Sequence, residues 1–292
     1  MSAEPLVLVH GGAGSVPAAS QAAHREGCLA AARAGGGVLK SGGNAVEAAA
    51  AAVEVMENNP VYNAGLGCAL TRDGGVSLDT ALMCGATLDA AGLAVLAPFA
   101  NPIRIAQALL PEKEVLLAGE DASLWAESNG FSRLSADDLI TESSREQWHK
   151  VVHEGASANF AGGTVGAVVR CTDGRLAAAT STGGTMGKTP GRVGDSPLIG
   201  VGTYANSYCA ISATGEGESF MRAAFASRVA QLVRAGGCPD HVLEEILVLV
   251  QLRYGGEGGA ILVTPEGGPH SFCTTPGMSH GWWSPSGEGC AV

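Results

Sequence analysis

Charged and aromatic side chains are scarce in this sequence of 292 residues, at 15% and 5% of the chain, and no long run of like charge occurs. The net charge of −11 argues against anionic partners, so neither nucleic acid nor an anionic membrane surface is expected to bind. No uncharged apolar run reaches the roughly 20 residues that a membrane-spanning helix needs. The start of the chain also lacks the basic and long apolar segments of a signal peptide.

Paired cysteines and metal-binding motifs are absent as well. The eight cysteines are scattered without a Cys-x-x-Cys pair, which predicts reduced thiols in a cytoplasmic protein rather than a disulfide or zinc framework. The seven histidines contain no His-Glu-x-x-His motif, so a zinc site is not expected. The sequence therefore predicts neither a disulfide framework nor a zinc site, and no cofactor is expected.

Three familiar ligand-binding and catalytic motifs also fail. After Gly12 and Gly14, the third glycine of a dinucleotide-binding loop would fall at Pro17. The run 187–189 resembles the end of a phosphate-binding loop, but Thr182 stands where that loop needs its first glycine. No Gly-x-Ser-x-Gly run is present, which removes the commonest signature of a serine hydrolase.

Glycine and small apolar residues, by contrast, are abundant, with 43 glycines and 46% hydrophobic side chains. So many glycines predict tight turns and close backbone approach, as in a site lined by main chain. The apolar residues recur in periodic blocks, which predicts a folded chain rather than a disordered one. Residues 6–9 are predicted to form a strand, and 19–39 and 44–58 two helices, the second capped by Asn44.

Predicted strands and helices occur in separate pairs along the rest of the chain. This grouping favours an α+β fold, in which sheets pack on one another under helices, as a single domain over 1–292. Residues 130–163 are polar and end in small residues, so we expect an exposed, poorly packed linker. The other predicted elements are a turn at 73–75, a helix opening at 101–102, strands at 114–119 and 207–212, helices at 120–129, 218–235 and 239–254, and hairpins at 164–182 and 258–275.

Four short segments in the second half of the chain combine hydroxyl groups, glycine and paired charges. Each alone has an ordinary explanation, because threonine is common in strands and an arginine near an aspartate is usually a surface pair. The segments are Gly163-Thr164-Val165-Gly166, Thr180-Ser181-Thr182-Gly183-Gly184, Pro190-Gly191-Arg192-Val193-Gly194-Asp195 and Thr214-Gly215-Glu216-Gly217-Glu218.

In this order and spacing the segments are similar to those of the plant-type asparaginases, also called isoaspartyl peptidases, which are N-terminal nucleophile hydrolases. The resemblance extends from HGGAG near the start to the final hairpin. It implies a four-layer αββα sandwich and cleavage of the chain between Gly163 and Thr164. The products would be an α subunit of residues 1–163 and a β subunit of residues 164–292, assembled as a homodimer of αβ units.

The resemblance also assigns roles to the threonines. Thr164 is expected to be the nucleophile, activated by the α-amine that cleavage frees, whose ordinary pKa of roughly 7.7–8.0 leaves a neutral fraction near pH 7. Thr182 is expected to hydrogen-bond Thr164 and align it. The Thr214 hydroxyl and the Gly215 N–H are expected to form the oxyanion hole. Gly163 allows the scissile peptide a strained conformation.

The expected substrate is a small molecule, either L-asparagine or a β-aspartyl dipeptide. Arg192 is expected to bind its α-carboxylate through the guanidinium fork, and Asp195 its α-ammonium group. Gly217 would line the same pocket through its backbone, and Asn63 matches the family's active-site asparagine. The reaction would release ammonia or an amino acid and then, after hydrolysis of an aspartyl ester, aspartate.

Two further expectations concern a loop and the chain end. The loop 56–66 resembles one that holds a structural sodium ion by backbone carbonyl groups. The two tryptophans at 282–283 are expected to cover either the core or a dimer partner, and a packing role is favoured. The six carbonyl groups would belong to Met56, Glu57, Asn59, Tyr62, Ala64 and Leu66.

Two alternatives stay open at this point. A glycosylasparaginase of the same superfamily usually has aspartate before the nucleophilic threonine and enters secretory compartments, whereas Gly163 stands here. A relative that neither cuts itself nor catalyses could instead act as a binding module.

Overall fold

The computed structural model of this chain describes residues 4–156 and 163–292. In chain order its strands are β1 (Leu6–Ala13), β2 (Leu78–Cys84), β3 (Ala90–Leu96), β4 (Leu116–Ala118), β5 (Val165–Arg170), β6 (Leu176–Thr182), β7 (Thr203–Ala205), β8 (Ala210–Gly215), β9 (Gly258–Val263), β10 (His270–Cys273), β11 (Met278–Ser284) and β12 (Gly287–Ala291). Within the described residues they form a sheet of eight strands, in the order β12-β11-β1-β5-β6-β2-β3-β4, and one of four, in the order β10-β9-β8-β7. All neighbours are antiparallel except β3 and β4.

The helices fall into two groups along the chain. The first group is α1 (Gln21–Lys40), α2 (Ala45–Glu57), α3 (Pro102–Leu109), α4 (Gly119–Ser128) and α5 (Glu142–Glu154). The second group is α6 (Gly217–Ala223), α7 (Phe225–Arg234) and α8 (Pro239–Tyr254).

Three hydrophobic clusters separate the layers of the fold. One lies between helices α1 to α4 and the outer face of the larger sheet, and a second between α6 to α8 and the outer face of the smaller sheet. The third is sandwiched by the inner faces of both sheets, with Leu8 and Val168 on one side and Ile261 on the other. The layers are therefore helix, sheet, sheet and helix, and the predicted four-layer αββα sandwich is confirmed.

Local sequence signals set the boundaries of several helices. Asn44 caps α2 as predicted, since its side chain accepts from the Glu47 N–H at 3.0 Å while the Glu47 carboxylate accepts from the Asn44 N–H at 2.8 Å. The buried alanines of α2 have small side chains, which allows this helix to lie directly on β5 and β6. Pro102 opens α3 as predicted, because its missing N–H is not needed at the first position of a helix.

The polar segment before the predicted cleavage site contains more structure than we expected. About half of its described residues are exposed, but residues 142–154 form α5, which starts with a capping box at Thr141. The indole N–H of Trp148 donates to the Thr71 carbonyl at 2.7 Å, and Val151 packs on the buried Met186. A few apolar side chains thus anchor a mostly polar helix. Residues 157–162 of the predicted linker lie outside the described residues.

Three other predicted elements have different bounds in the structure. The predicted helix 218–235 is interrupted at Ala224, whose left-handed φ of 47° separates α6 from α7. No glycine or proline marks this break, and it lets Phe220 and Phe225 both turn inwards, with ring centroids 4.8 Å apart. The strand predicted at 114–119 shrinks to β4, and the strand predicted at 207–212 starts later, as β8.

The last residues of the chain complete the larger sheet. β11 pairs with β1, and β12 covers the edge of β11. Trp283 is 6% exposed and packs on α1, where a Cβ atom at Gly36 would lie 2.2 Å from the indole. Trp282 packs beside the cluster between the sheets. The predicted packing role of both tryptophans is confirmed.

Two further findings concern the helices and the cysteines. Across residues 4–156 and 163–292, every helix is too short or too polar to cross a membrane. The eight cysteines are all free thiols.

Candidate active site

The predicted nucleophile lies at the start of a central strand of the larger sheet. Thr164 immediately precedes β5, and its hydroxyl donates to that of Thr182, the last residue of β6, over 3.0 Å. Antiparallel pairing brings them together, because Val165 pairs with Ser181. The Gly184 N–H also donates to the Thr182 hydroxyl, at 2.9 Å. Thr182 therefore accepts from both neighbours and fixes the direction of the Thr164 hydroxyl.

Gly163, on the other side of the predicted scissile bond, is pressed against the end of β1. A Cβ atom built on Gly12 would lie 2.3 Å from the Gly163 Cα, so the close approach requires a glycine at position 12. The Gly163 carbonyl accepts from the Asn63 N–H at 3.4 Å. This N–H points at the carbonyl that the proposed cleavage would attack.

Asn63 is buried, and both ends of its side-chain amide are used within the protein. Its Nδ2 donates to the Gly184 carbonyl and its Oδ1 accepts from the Ala69 N–H, each at 2.6 Å. Its main-chain carbonyl accepts from the Gly183 N–H at 2.9 Å. Asn63 thus ties the predicted cleavage site at Gly163 to the loop that follows β6.

The predicted oxyanion donors come from the smaller sheet. Thr214 and Gly215 are the last residues of β8, and the Thr214 hydroxyl accepts from the Ala13 N–H at 3.4 Å. The end of β1 therefore contacts two parts of the site. Ala13 contacts the predicted oxyanion donor Thr214, and Gly12 contacts Gly163 at the predicted cleavage site. Three strands of the larger sheet, β1, β5 and β6, and one strand of the smaller sheet, β8, therefore contribute to a single site.

The residues predicted to bind the substrate head group gather where α6 begins. Arg192 donates from Nε and Nη2 to the two carboxylate oxygens of Glu218, each at 2.9 Å. A Cβ atom at Gly217 would lie 2.9 Å from Asp195 Oδ1 and 3.2 Å from Arg192 Nη2. Glycine at this position therefore lets the predicted cation and anion approach the same backbone.

Of the acidic residues in this group, Asp195 has the largest shift in pKa. It is buried, and its Oδ2 has no hydrogen-bond partner among the residues that the structure describes. Burial raises the pKa of the Asp195 carboxyl to about 7, although the nearby Arg192 favours the charged form. A buried acceptor without a donor is unfavourable and rare, so this oxygen offers an open position to a cationic group.

Two buried charges behind the site were missed by the sequence interpretation. Lys188 Nζ donates to the carbonyl groups of Ser77 and Gly183, at 2.6 and 2.7 Å. Burial lowers the pKa of Lys188 and raises that of Asp79, and each charge opposes the shift of the other. The available signal was charge within apolar surroundings, since Asp79 interrupts the strand β2. Glu218 ends the segment 214–218 that carries the family resemblance, but no role was predicted for it.

The loop expected to hold sodium presents backbone carbonyl oxygens, which are suitable ligands for this ion. Backbone N–H groups already bind three of its carbonyl groups, from Leu66 to Glu57 at 2.8 Å, and from Asn59 to Met56 and Tyr62 to Asn59 at 3.1 Å. Within the described residues no such donor faces the carbonyl groups of Tyr62, Ala64 and Leu66. Carbonyl oxygen suits a hard cation, and no group of His, Cys, Asp and Glu in those residues could hold a metal instead.

Comparison with known proteins agrees with this arrangement. A profile of the family described as asparaginase matches residues 3–290, which is nearly the whole chain. The chain belongs to the asparaginase family. Members of this family are hydrolases with the N-terminal nucleophile fold, in accord with the two-sheet sandwich found here.

Several curated relatives of this asparaginase-family protein cover most of its length. One named isoaspartyl peptidase/L-asparaginase, from Xenopus laevis, is 38% identical over 269 residues, or 90% of this chain and 87% of the relative. One named isoaspartyl peptidase, from Escherichia coli (strain K12), is 37% identical over 300 residues, or 95% and 92%. A mouse protein with the same name as the Xenopus relative is 38% identical over 269 residues.

Proposed function

We propose that this asparaginase-family protein cuts itself between Gly163 and Thr164 and then uses Thr164 to hydrolyse L-asparagine, β-aspartyl dipeptides, or both. The observation that carries the proposal is the 3.0 Å hydrogen bond from the Thr164 hydroxyl to Thr182, directly beside Gly163. It places an oriented hydroxyl at the only bond whose cleavage would give that same residue a free α-amine. The names of the Xenopus and Escherichia coli relatives agree with both substrate classes.

The maturation step follows from the contacts around the scissile peptide. The Thr164 oxygen attacks the Gly163 carbonyl carbon, the C–N bond breaks, and the resulting ester is hydrolysed by water to a Gly163 carboxylate. The Asn63 N–H, 3.4 Å from the Gly163 oxygen, lies where negative charge develops during the attack. Gly12, packed on Gly163, keeps the peptide from moving away from the hydroxyl.

The hydrolytic step uses the amine that maturation creates. The Thr164 amine takes the hydroxyl proton while the oxygen attacks the side-chain carbonyl of the substrate. Thr214 and Gly215 donate to the resulting oxyanion, and each such donor contributes roughly 2.7–4 kcal/mol of transition-state stabilisation. Collapse expels ammonia from asparagine or an amino acid from a β-aspartyl dipeptide. Water then cleaves the aspartyl ester and regenerates the hydroxyl.

Charge complementarity supports an aspartyl head group as the part of the substrate that is recognised. The open oxygen of Asp195 suits an α-ammonium group, and the Arg192 fork suits an α-carboxylate. Glu218 occupies that fork in the structure, so the substrate carboxylate has to replace a carboxylate already there. Gly217 leaves the space in which both ends of the head group can fit.

The experiment is denaturing mass spectrometry combined with assays of L-asparagine, β-aspartyl dipeptides and glycosylated asparagine. We expect two fragments with Thr164 as a new N-terminus, and aspartate from one or both of the first two substrates. Thr164→Ala should stay intact and inactive. The control is Ser123→Ala, which removes a buried hydroxyl on α4, 41 positions before Thr164 in the sequence, and should be cleaved and active. An intact, inactive wild type would favour a binding module, and activity on glycosylated asparagine alone would favour a glycosylasparaginase.

Three further features belong to the same proposal. We propose a homodimer of αβ units, a structural sodium ion on the carbonyl groups of the loop 56–66, and a cytoplasmic location. The sodium ion is supported by the carbonyl groups of Tyr62, Ala64 and Leu66, for which the described part of the chain supplies no backbone donor. The cytoplasmic location is supported by the eight free thiols. Light scattering would report the dimer, and dialysis against lithium or potassium salts with thermal unfolding would report the ion.

A further inference from the structure

We infer that four buried polar side chains, those of His10, Thr180, Thr203 and Ser212, form a network that positions the active-site threonines by fixing the separation of the two sheets. This inference rests on the proposed function, because it names positioning residues for the same site. Thr180 lies in one of the four segments that carry the family resemblance and His10 begins the HGGAG run, but no role was predicted for any of the four side chains.

The network is continuous and crosses from one sheet to the other. His10 Nε2 lies 2.9 Å from the Ser212 hydroxyl, which lies 2.7 Å from the Thr180 hydroxyl. The Thr203 hydroxyl is 2.6 Å from that of Thr180 and 2.9 Å from the Ser196 carbonyl. His10 and Thr180 belong to the larger sheet, whereas Thr203 and Ser212 belong to the smaller one. Each link between Thr180 and its partners is therefore also a link between the sheets.

The network lies one step below the predicted catalytic groups on the same strand faces. Residues two apart in a strand point to the same side of the sheet. Thr180 precedes Thr182 by two positions on β6, and Ser212 precedes Thr214 by two positions on β8. The distance between the Thr180 and Ser212 hydroxyl groups thus controls the distance between the next pair of threonines along the strands.

β5, the strand that follows the predicted nucleophile, also contacts the network. His10 pairs with Gly166 of β5, which pairs with Thr180. Gly166 follows Thr164, the residue directly before β5, by two positions. A Cβ atom on Gly166 would lie 2.0 Å from the Ser212 Oγ and 2.4 Å from His10 Nε2. The missing side chain lets Ser212 reach down between its two partners. This space gives a physical reason for the glycine in the Thr-Val-Gly segment.

The network is buried, so its side chains depend on one another for hydrogen bonds, whereas polar side chains at the surface can bond to water. All four side chains are fully buried beside the apolar cluster between the sheets. Burial lowers the pKa of His10 to about 3, so the imidazole is neutral and carries no charge that could distort the row. A hydroxyl lost here leaves its partners without a substitute, because water is excluded, and the strands can then shift.

Thr180→Val tests the inference, because valine keeps the shape and removes only the hydroxyl. The matched control is Thr80→Val, at a buried threonine of β2 whose hydroxyl donates to the Thr180 carbonyl at 2.9 Å outside the network. Thr180→Ser restores the hydroxyl. The readouts are Tm, the cleaved fraction by mass spectrometry, and kcat and KM per cleaved chain with asparagine and a β-aspartyl dipeptide.

We expect Thr180→Val to lower kcat by about 10- to 100-fold with KM changed by less than about threefold, as for a displaced catalytic group. Thr180→Ser should recover most of kcat, and Thr80→Val should lose stability but not kcat. If Thr180→Val does not fold, Thr203→Val breaks the outer end of the network and should give the same kcat defect, smaller in size.

Two results would overturn the inference. One is a folded, cleaved Thr180→Val or Thr203→Val protein with wild-type kcat, and the other is an equal kcat loss in Thr80→Val. Failure of the proposed function looks different, because the wild type itself would then hydrolyse neither asparagine nor a β-aspartyl dipeptide.

Discussion

At the scale of single residues, the head-group site keeps its charges partly unsatisfied. Asp195 is buried, and one of its oxygens has no hydrogen-bond partner within residues 4–156 and 163–292, whereas the guanidinium fork of Arg192 binds the carboxylate of Glu218. A closed ion pair between Asp195 and Arg192 would leave nothing for a ligand. Separation of the two charges leaves room for a zwitterion whose ammonium and carboxylate groups match them in sign.

Arg192→Lys should mainly weaken substrate binding. Lysine keeps the charge but cannot make two parallel N–H contacts with a carboxylate, and the loss of one charge-assisted hydrogen bond costs about 1.5 kcal/mol. KM should therefore rise about tenfold while kcat changes little. Steady-state kinetics with a β-aspartyl dipeptide measure both constants, and an unchanged KM would remove Arg192 from the site.

The pH dependence of kcat/KM should show two deprotonations. The raised pKa of Asp195, at about 7, means that the carboxyl is protonated and unable to bind an ammonium group at lower pH. The Thr164 amine, with an ordinary pKa of roughly 7.7–8.0, must also be neutral to act as a base. Log kcat/KM should rise with pH at a limiting slope of about two in the wild type and about one in Asp195→Asn. Equal slopes in both proteins would contradict the role of Asp195.

The same residue makes a prediction about stability. The folded pKa of Asp195 lies above its ordinary value, so the protonated form is the one that the fold accommodates. Its favourable contribution is complete below the ordinary pKa of 3.8 and is lost as pH rises through about 7. Asp195→Asn should therefore gain Tm relative to wild type at pH 8 but not at pH 4. Thermal unfolding at the two pH values measures this, and a Tm gain of the same size at both would contradict it.

At the scale of elements, α5 shows how a polar segment is fixed by few contacts. Its capping box starts the helix, and the Trp148 indole hydrogen bond joins it to the loop before β2. The helix ends at Gly155, whose left-handed φ of 71° suits glycine. The polar segment therefore holds a defined position on the rest of the protein as far as the end of α5.

Trp148→Phe should release this helix without changing the active site. Phenylalanine keeps an aromatic ring but removes the N–H, so the Thr71 carbonyl keeps only its second donor, the Gly74 N–H at 2.9 Å. The loss of the indole hydrogen bond costs about 1 kcal/mol. We expect faster limited proteolysis within 142–154 and unchanged kcat of the cleaved enzyme. Trp125→Phe on α4 is the control, because no hydrogen bond from its indole is found within the described residues. Equal proteolysis rates of wild type and Trp148→Phe would contradict the anchoring role.

At the scale of the whole molecule, the two ends of the chain meet in the larger sheet. β1 lies between β5, which follows the predicted cleavage site, and β11, near the end of the chain. After cleavage these strands would belong to two separate subunits joined by sheet hydrogen bonds and by the shared core. The fold can therefore hold together when the covalent link at Gly163–Thr164 is gone.

Trp283→Ala tests how much the closing hairpin contributes. This indole is 6% exposed against Gly36, and truncation of a buried tryptophan costs about 3–5 kcal/mol. Trp282→Ala is the matched control, with a smaller loss because Trp282 is only partly buried. Denaturant unfolding in the uncut Thr164→Ala background measures both free energies without interference from cleavage. A larger loss in Trp282→Ala would contradict the packing described here.

Features that depend on neighbours along the chain follow from the amino-acid sequence alone. The capping box of Asn44, the start of α3 at Pro102 and the hairpin that follows Thr164 are local, and their residue types act through adjacent backbone groups. Motif order and spacing also determined the family, since they name the residue types that the chemistry requires.

Which distant residues share a site depends instead on how the sheets and helices pack together. The buried charges of Lys188 and Asp79, the pairing of Arg192 with Glu218 and the hydroxyl row through Ser212 join positions far apart in the chain. Periodicity reports which face of an element is apolar, but it does not report which elements face each other. The break at Ala224 has the same origin, because packing of two phenylalanines overrides the local helical preference.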